Sequence, residues 1–349
     1  MQACPWGENL WCEVVTIEEV PEVVEDLVLE NASLLVNGTH TEHPTWVEIK
    51  AAMDSNQLMW LDCATPDQGD LERMVKLFGI DDEMLSDSAD FNQRTRLSEY
   101  DSYVLLVAYG VAADARTMME VHVYVMQHRV VTVRNGPCPP VELLHDRADK
   151  MMTPTTTVPA ILSRILSVLV GTFADALDTV DEELTELETS ILHDDPSTSQ
   201  IEKLLDLRKR VNTFRRAVDP ARDLVGAGRF VIIDALADVS EDARRHLRDL
   251  AVDLAHVGDQ VESERDRLSA VMDIYMNQVN YRQNDIMKKL ATVSTVFLPL
   301  MFITGFFGMN FAFLVRSVNS SMAFLILGIG LNLITVIGSL YVMKRRGWW

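Results

Sequence analysis

Two stretches without a charged side chain, residues 291–315 and 317–343, limit what this chain can fold into more than any other feature. As helices, the first would rise about 37 Å and residues 322–343 about 33 Å, enough to cross a hydrocarbon core of about 30 Å. Backbone polar groups find no water inside a bilayer, so segments this long must be helical there. Lys288 and Lys289 precede the first stretch, and Lys344, Arg345 and Arg346 follow the second. The positive-inside rule therefore predicts a multi-pass protein of the cell inner membrane or plasma membrane. Both outer ends would be cytoplasmic and the connection around residues 311–321 external. Arg316 is the sole charge between the two basic clusters, and Trp348 and Trp349 fit an interfacial anchor behind the second.

The remainder of the chain is a different material. All 52 acidic residues lie in the first 290 of the 349, against 27 of the 31 basic ones, a balance that argues against any grip on nucleic acid. Cys4, Cys12, Cys63 and Cys138 are widely spaced and form no CxxC pair, as expected of free thiols in a reducing compartment. With Glu8 and Glu13 and no basic region before an apolar run, the start does not resemble a secretory signal. A plain hairpin anchor accounts for two spans, but not for Asn310 and Asn332, because amides at membrane depth are costly unless they face protein, water or a solute. Nor does an anchor need Pro299, Gly305 and Gly308, although small residues also serve close helix packing. Two helices cannot enclose water, so transport requires a ring of subunits.

The expected fold is an α+β membrane protein: an N-terminal cytoplasmic α/β domain, a long helical stalk and two C-terminal transmembrane helices. The α/β domain covers residues 1–155, a helical hairpin region 156–239 and a cytoplasmic stalk helix 240–290. The first transmembrane helix and the start of an external mouth follow over 291–315, an external loop over 316–321, the second transmembrane helix over 322–343 and a basic tail over 344–349. Short β-prone runs predict strands at residues 10–17, 58–62, 103–109, 120–126 and 130–134, with a turn at 127–129 and helices at 44–53 and 71–78. Long helices are expected over 160–192 and 199–224, and a third from about residue 240. Nine acids between Gly171 and Gln200 have no local basic partner. They form a solvated face, or gather divalent cations, or meet a basic strip such as Arg208, Lys209, Arg210, Arg215 and Arg216.

The third helix has no Gly or Pro between Gln260 and Pro299, so soluble stalk and first span are expected to be continuous. Steps of three and four residues place Asp273, Asn277, Asn280, Asn284, Met287, Ala291, Ser294, Leu298, Met301, Gly305 and Gly308 on one face. In a parallel ring of identical helices this stripe gives an acidic ring, three amide rings, then methionine, small and apolar rings, an order that suits a cation path. A single Asn in such a seam can instead serve to fix register.

The sequence Gly305-Phe306-Phe307-Gly308-Met309-Asn310-Phe311 contains a Gly-Met-Asn triplet that closes the first of two C-terminal spans, after an acidic stalk and before a basic tail. In that setting it resembles the signature of the CorA-type magnesium transporter family, over roughly residues 200–349 and more loosely before them. The resemblance implies a homopentamer in membrane lipid that moves divalent cations, magnesium above all, down their electrochemical gradient. It implies a selectivity filter at Gly308, Met309 and Asn310, an inner polar position at Asn284, a hydrophobic gate at Met287 and Leu290, a constriction at Leu298 and a lower acidic ring at Asp273. It further implies an inhibitory magnesium sensor between neighbouring cytoplasmic domains, at Asp87, Asp249 and Asp253. Two departures stand out: Met301 replaces a small hydroxyl residue inside the pore, and the external loop carries Arg316 where relatives commonly have an acid.

Other readings are a zinc, cobalt or nickel transporter of the same architecture, with His40, His43, His122 and His128 as unclustered ligands, or an oligomeric scaffold whose acidic domain recruits basic partners. His122 and His128 are otherwise expected on strand surfaces. An enzyme is disfavoured: His145-Asp146 has no nucleophile or acid pair beside it, and no GxxxxGK[ST] run points to nucleotide-driven pumping.

Overall fold

The computed structural model describes residues 27–80, 91–153, 155–225, 241–310, 312–317 and 320–346. The strand expected at 10–17, Asp87, Cys4, Cys12 and the terminal tryptophans lie outside these. Asn37 and Gly38 take φ values of 48° and 85°. Two successive positive-φ residues make the reversal that matches strand twist, and here they join β1 (Ala32–Val36) to β2 (Thr39–Glu42). Helix α1 (Trp46–Asp54) starts in a reciprocal capping box between Thr45 and Glu48. After β3 (Met59–Ala64), helix α2 (Gln68–Phe78) is capped by Asp67 and stopped by Gly79 at φ 65°.

Four strands follow: β4 (Arg96–Glu99), β5 (Val104–Val111), β6 (Met118–Val125) and β7 (Arg129–Arg134). The sheet order is β2-β1-β3-β7-β6-β5-β4, with β3 and β7 parallel at its centre and every other pair antiparallel. Strands β1, β2 and β4 were not expected from the sequence, and β7 begins at Arg129, which shortens the expected turn.

The two faces of the sheet differ. Leu61, Cys63, Val131, Val133, Leu105 and Val107 point into a core with Trp46, Ile49, Leu71, Met74 and Phe78. On the other face Trp60 Nε1 donates to Thr132 Oγ1 at 3.0 Å, Thr132 Oγ1 donates to Asp62 at 2.5 Å, and Arg134 Nε donates to Asp62 at 3.1 Å. Arg134 also reaches Glu142 at 2.9 Å, in helix α3 (Pro139–His145), which precedes α4 (Ala148–Met151). His145, at the end of α3, lies 3.5 Å from Asp62; burial pushes its imidazole below the ordinary value, and Asp62 opposes that shift. His145 therefore belongs to a buried structural network rather than to a His-Asp pair with Asp146.

Long helices complete the chain: α5 (Val158–His193), α6 (Thr198–Val225), α7 (Glu241–Phe307), the short α8 (Ala312–Ser317) and α9 (Ser321–Arg345). They fall into two compact units, Met1–Thr179 with Asn212–Glu262, and Val180–Val211 with Ser263–Trp349. In the first unit, Thr172 Oγ1 accepts from Val111 N at 2.8 Å, Thr95 Oγ1 donates to Ala217 O at 3.1 Å, and Phe173 meets Phe214 edge-on at 5.8 Å. In the second unit several of the acids between Gly171 and Gln200 have basic partners. Glu183 pairs with Arg210 as the basic-strip reading expected, but Asp181 pairs with Arg267 and Asp195 with Arg282, both on α7. These arginines lie more than 80 residues along the chain, out of reach of any local reading.

The structure predicts that Asp62→Ala lowers unfolding stability by about 2–4 kcal/mol. Removing one member of a buried ion pair costs about 3–5 kcal/mol, and Glu142 still holds Arg134. Denaturant unfolding of the purified protein measures this; a change under about 0.5 kcal/mol would mean the network is not structural.

Candidate functional site

Three helices among the described residues are long and apolar enough to cross a membrane. One of them, α5, buries Ile161, Ile165, Leu169 and Phe173 inside the protein. The other two, α7 in its last third and α9, expose their apolar side chains, as segments solvated by lipid or by other copies must. Helix α7 is one element from Glu241 to Phe307 with Pro299 inside it. At about 100° per residue, Asp273, Asn277, Asn280, Asn284 and Ala291 fall within an arc of about 60°. Leu268, Val271 and Tyr275 occupy the opposite face and are buried.

The stripe itself is exposed from Asp273 through Met287. Its carboxylate and amides make no hydrogen bond or ion pair among the described residues. Ser294 is half-buried, and Leu298 and Met301 are exposed further up. Leu290 sits about 100° round from Asp273 on a straight helix, nearer Met301 than Ala291. The other hydroxyls of this span are turned inward to their own backbone. Thr292, Thr295 and Thr304 donate to the carbonyls of Lys288, Ala291 and Leu300 at 2.8, 2.7 and 2.8 Å, which removes their polarity from the surrounding medium. Below the span, Lys289 bonds Asp285 at 2.8 Å, and that bond holds the Asp285 carboxyl below its ordinary value.

Helix α7 stops at Phe307, immediately before Gly308, and α8 is a separate turn and a half. Gly308 N still donates to Thr304 O at 3.0 Å and Met309 N to Phe306 O at 3.3 Å, so the ladder closes on Gly308 and Met309. A Cβ at position 308 would lie 3.0 Å from the Thr304 carbonyl, closer than a side chain ordinarily tolerates, which is what the glycine avoids. Asn310 follows, exposed and without a partner among the described residues. In α9, residues Phe324–Gly330 wind as a π-helix, and Asn332 Nδ2 donates to Gly328 O at 2.5 Å, which partly satisfies the second membrane-depth amide.

Lower on α7, Asp249 and Asp253 are one turn apart, exposed and unpaired among the described residues, with Val252 between them 67% exposed. Their expected partner Asp87 lies outside the described residues. His40 lies against His145 with ring centroids 5.5 Å apart, but no group of three His, Cys, Asp or Glu suited to a metal forms among the described residues. His122 lies on β6 but is fully buried rather than on a strand surface, 2.9 Å from Glu120.

Glu120 is a junction that sequence reading missed. It accepts from Asn92 N at 2.5 Å and Gln93 N at 3.1 Å, and so ties the segment that follows residues 81–90 to the sheet. Burial pushes its carboxyl up, but the bonds from His122, Gln93, Asn92 and Tyr109 outweigh burial and hold it below the ordinary value. An acid two residues before a histidine in a strand was the available signal, and it is a weak one.

Comparison with known proteins adds to this geometry. The family model described as CorA-like Mg2+ transporter protein matches residues 55–345. The cobalt/magnesium transport protein CorA of Methanocaldococcus jannaschii is 25% identical over 303 residues, covering 85% of this chain and 93% of that protein. The protein of the same description from Thermotoga maritima is 22% identical over 275 residues, covering 75% of each. The complete structure of the M. jannaschii CorA magnesium transporter superposes with a TM-score of 0.77 at 22% identity, covering 93% of this chain and all of that one.

Proposed function

The chain belongs to the CorA-like Mg2+ transporter family, and on that premise we propose that it carries magnesium across a membrane as a homopentamer, down the electrochemical gradient and without a chemical step. One observation carries the reading: the stripe Asp273, Asn277, Asn280, Asn284 is exposed and unbonded on α7, opposite the buried Leu268, Val271 and Tyr275. A row of unbonded amides on the stalk, leading up to an apolar span, is suited to a shared wet axis.

Five parallel copies stack Asp273 as an acidic ring and Asn277, Asn280 and Asn284 as amide rings, then Met287 and Leu290 as a gate. Ser294 follows as a hydroxyl ring, Leu298 and Met301 as apolar collars, and Gly308, Met309 and Asn310 as the external filter. Magnesium gives up its water reluctantly, so amide and carboxylate oxygens that hold the hydrated ion through its shell avoid most of the desolvation cost. The Asn310 ring adds oxygens without fixed charge, which binds weakly enough to release. Met287, Leu290, Leu298 and Met301 close the path by dewetting when the bore narrows. Both chain ends are cytoplasmic in this reading, and the sheet domain and stalk lie inside. The description of the M. jannaschii relative makes cobalt a second cargo to test.

Regulation follows from the acids low on α7. Asp249 and Asp253 of one copy, facing Asp87 of the next, repel until a magnesium ion bridges them. Bound ion favours a closed symmetric ring, and falling internal magnesium releases the restraint.

Asn310→Ala is expected to abolish selective magnesium uptake in liposomes while the ring still assembles. Normal flux and selectivity in that variant remove Asn310 from the mouth. Asp249→Ala is expected to raise the internal magnesium needed for half-inhibition by about three- to tenfold, about one lost ion contact. An inhibition curve that does not move rejects this sensor.

A further inference from the structure

Arg316 is the sole charged residue between Lys289 and Lys344, and no Asp or Glu lies anywhere in residues 291–349. It sits in the last turn of α8, exposed, with no ion-pair partner among the described residues. Helix α8 begins at Ala312, two residues after Asn310. Chain geometry therefore keeps the Arg316 Cα within about 13 Å of its own Asn310 Cα: two extended steps of at most 3.6 Å and four helical rises of 1.5 Å. Whichever rotamer the guanidinium adopts, it stays close to the mouth, and no carboxylate on the external side offsets it.

We propose that Arg316 is a rate- and specificity-determining residue of the transport reaction: a ring of guanidinium charges around the Asn310 mouth that repels incoming divalent cations and sets how fast they are captured. The inference rests on the pentameric reading above. Five unit charges acting on a divalent ion from about 15 Å across water lower its local concentration about tenfold or more at 10 mM ionic strength, where the screening length is about 30 Å. At 150 mM, with screening over about 8 Å, the same charges lower it only about twofold. Repulsion scales with the valence of the ion, so this mouth disfavours divalent over monovalent cations by charge. Selection for magnesium is then left to the fit of the hydrated ion at Asn310.

The test is magnesium flux through the full chain in phosphatidylcholine liposomes, which carry no net surface charge, at subsaturating magnesium and at 10 and 150 mM choline chloride. Wild-type flux is expected to rise with ionic strength. R316Q is expected to exceed wild type about tenfold at 10 mM and about twofold at 150 mM, R316K to behave as wild type, and R316E to reverse the slope. A slope shared by wild type and R316Q overturns the proposal, as it would if a lipid phosphate neutralised the guanidinium. A wild-type flux that falls with ionic strength overturns it too. Asn310→Ala run alongside separates the two levels. Flux that Asn310→Ala abolishes and R316Q leaves unchanged rejects only the role of Arg316, whereas no wild-type flux at all rejects the transport reading.

Discussion

The continuity of α7 as one helix from Glu241 to Phe307 is the constraint on which the rest depends. A helix of 67 residues is about 100 Å long and marginal by itself in water. It persists because one face is buried along its lower half, at Leu247, Leu250, Leu254, Val257, Val261, Leu268, Val271 and Tyr275. That burial fixes which face is left over. The leftover face carries Asp273 and the three asparagines, so packing inside the chain and polarity outside it are two consequences of one rotation of the helix. Pro299 removes a single backbone bond in the last third of the helix, short of its end at Phe307.

Charge is arranged to the same end. An acidic chain could hold its long helices together only if some acids were neutralised, and Arg210, Arg267 and Arg282 do so at Glu183, Asp181 and Asp195. In this neighbourhood Glu264 feels burial and the Asp181 charge, which together push its carboxyl up against the opposing pull of Arg267. Asp249, Asp253 and Asp273, which the proposed function assigns to ions, are among the described acids left exposed and unpaired. Inside the sheet domain the same economy appears as buried networks at Asp62 and Glu120, each with its polar atoms bonded to groups far away in sequence.

The apolar C-terminal helices and the long α7 were legible because their signals are local: absence of charge, steps of three and four residues, and a glycine where a helix must end. The central strands were legible through runs of β-branched residues. The β1–β2 hairpin was overlooked although Asn37-Gly38 is a strong two-residue turn signal, and β4 is short and polar enough at the sheet edge to escape any hydropathy pattern. Asp62, Thr132, Arg134 and His145 meet only because β3 and β7 pair in parallel, about 70 residues apart, and no reading of either strand alone reveals that.

The central claim is that the free stripe of α7 faces water shared by several copies. It is tested most directly by placing a thiol at Asn284, in a chain whose Cys4 and Cys12 are serines, and following magnesium flux in liposomes while a charged methanethiosulfonate is added from the side of the cytoplasmic domains. A wet common axis predicts rapid modification, collapse of flux as the bulky charged group fills the ring, and slower modification when magnesium is in excess. Full flux after complete modification of Asn284→Cys, or a thiol that the reagent never reaches, contradicts the account.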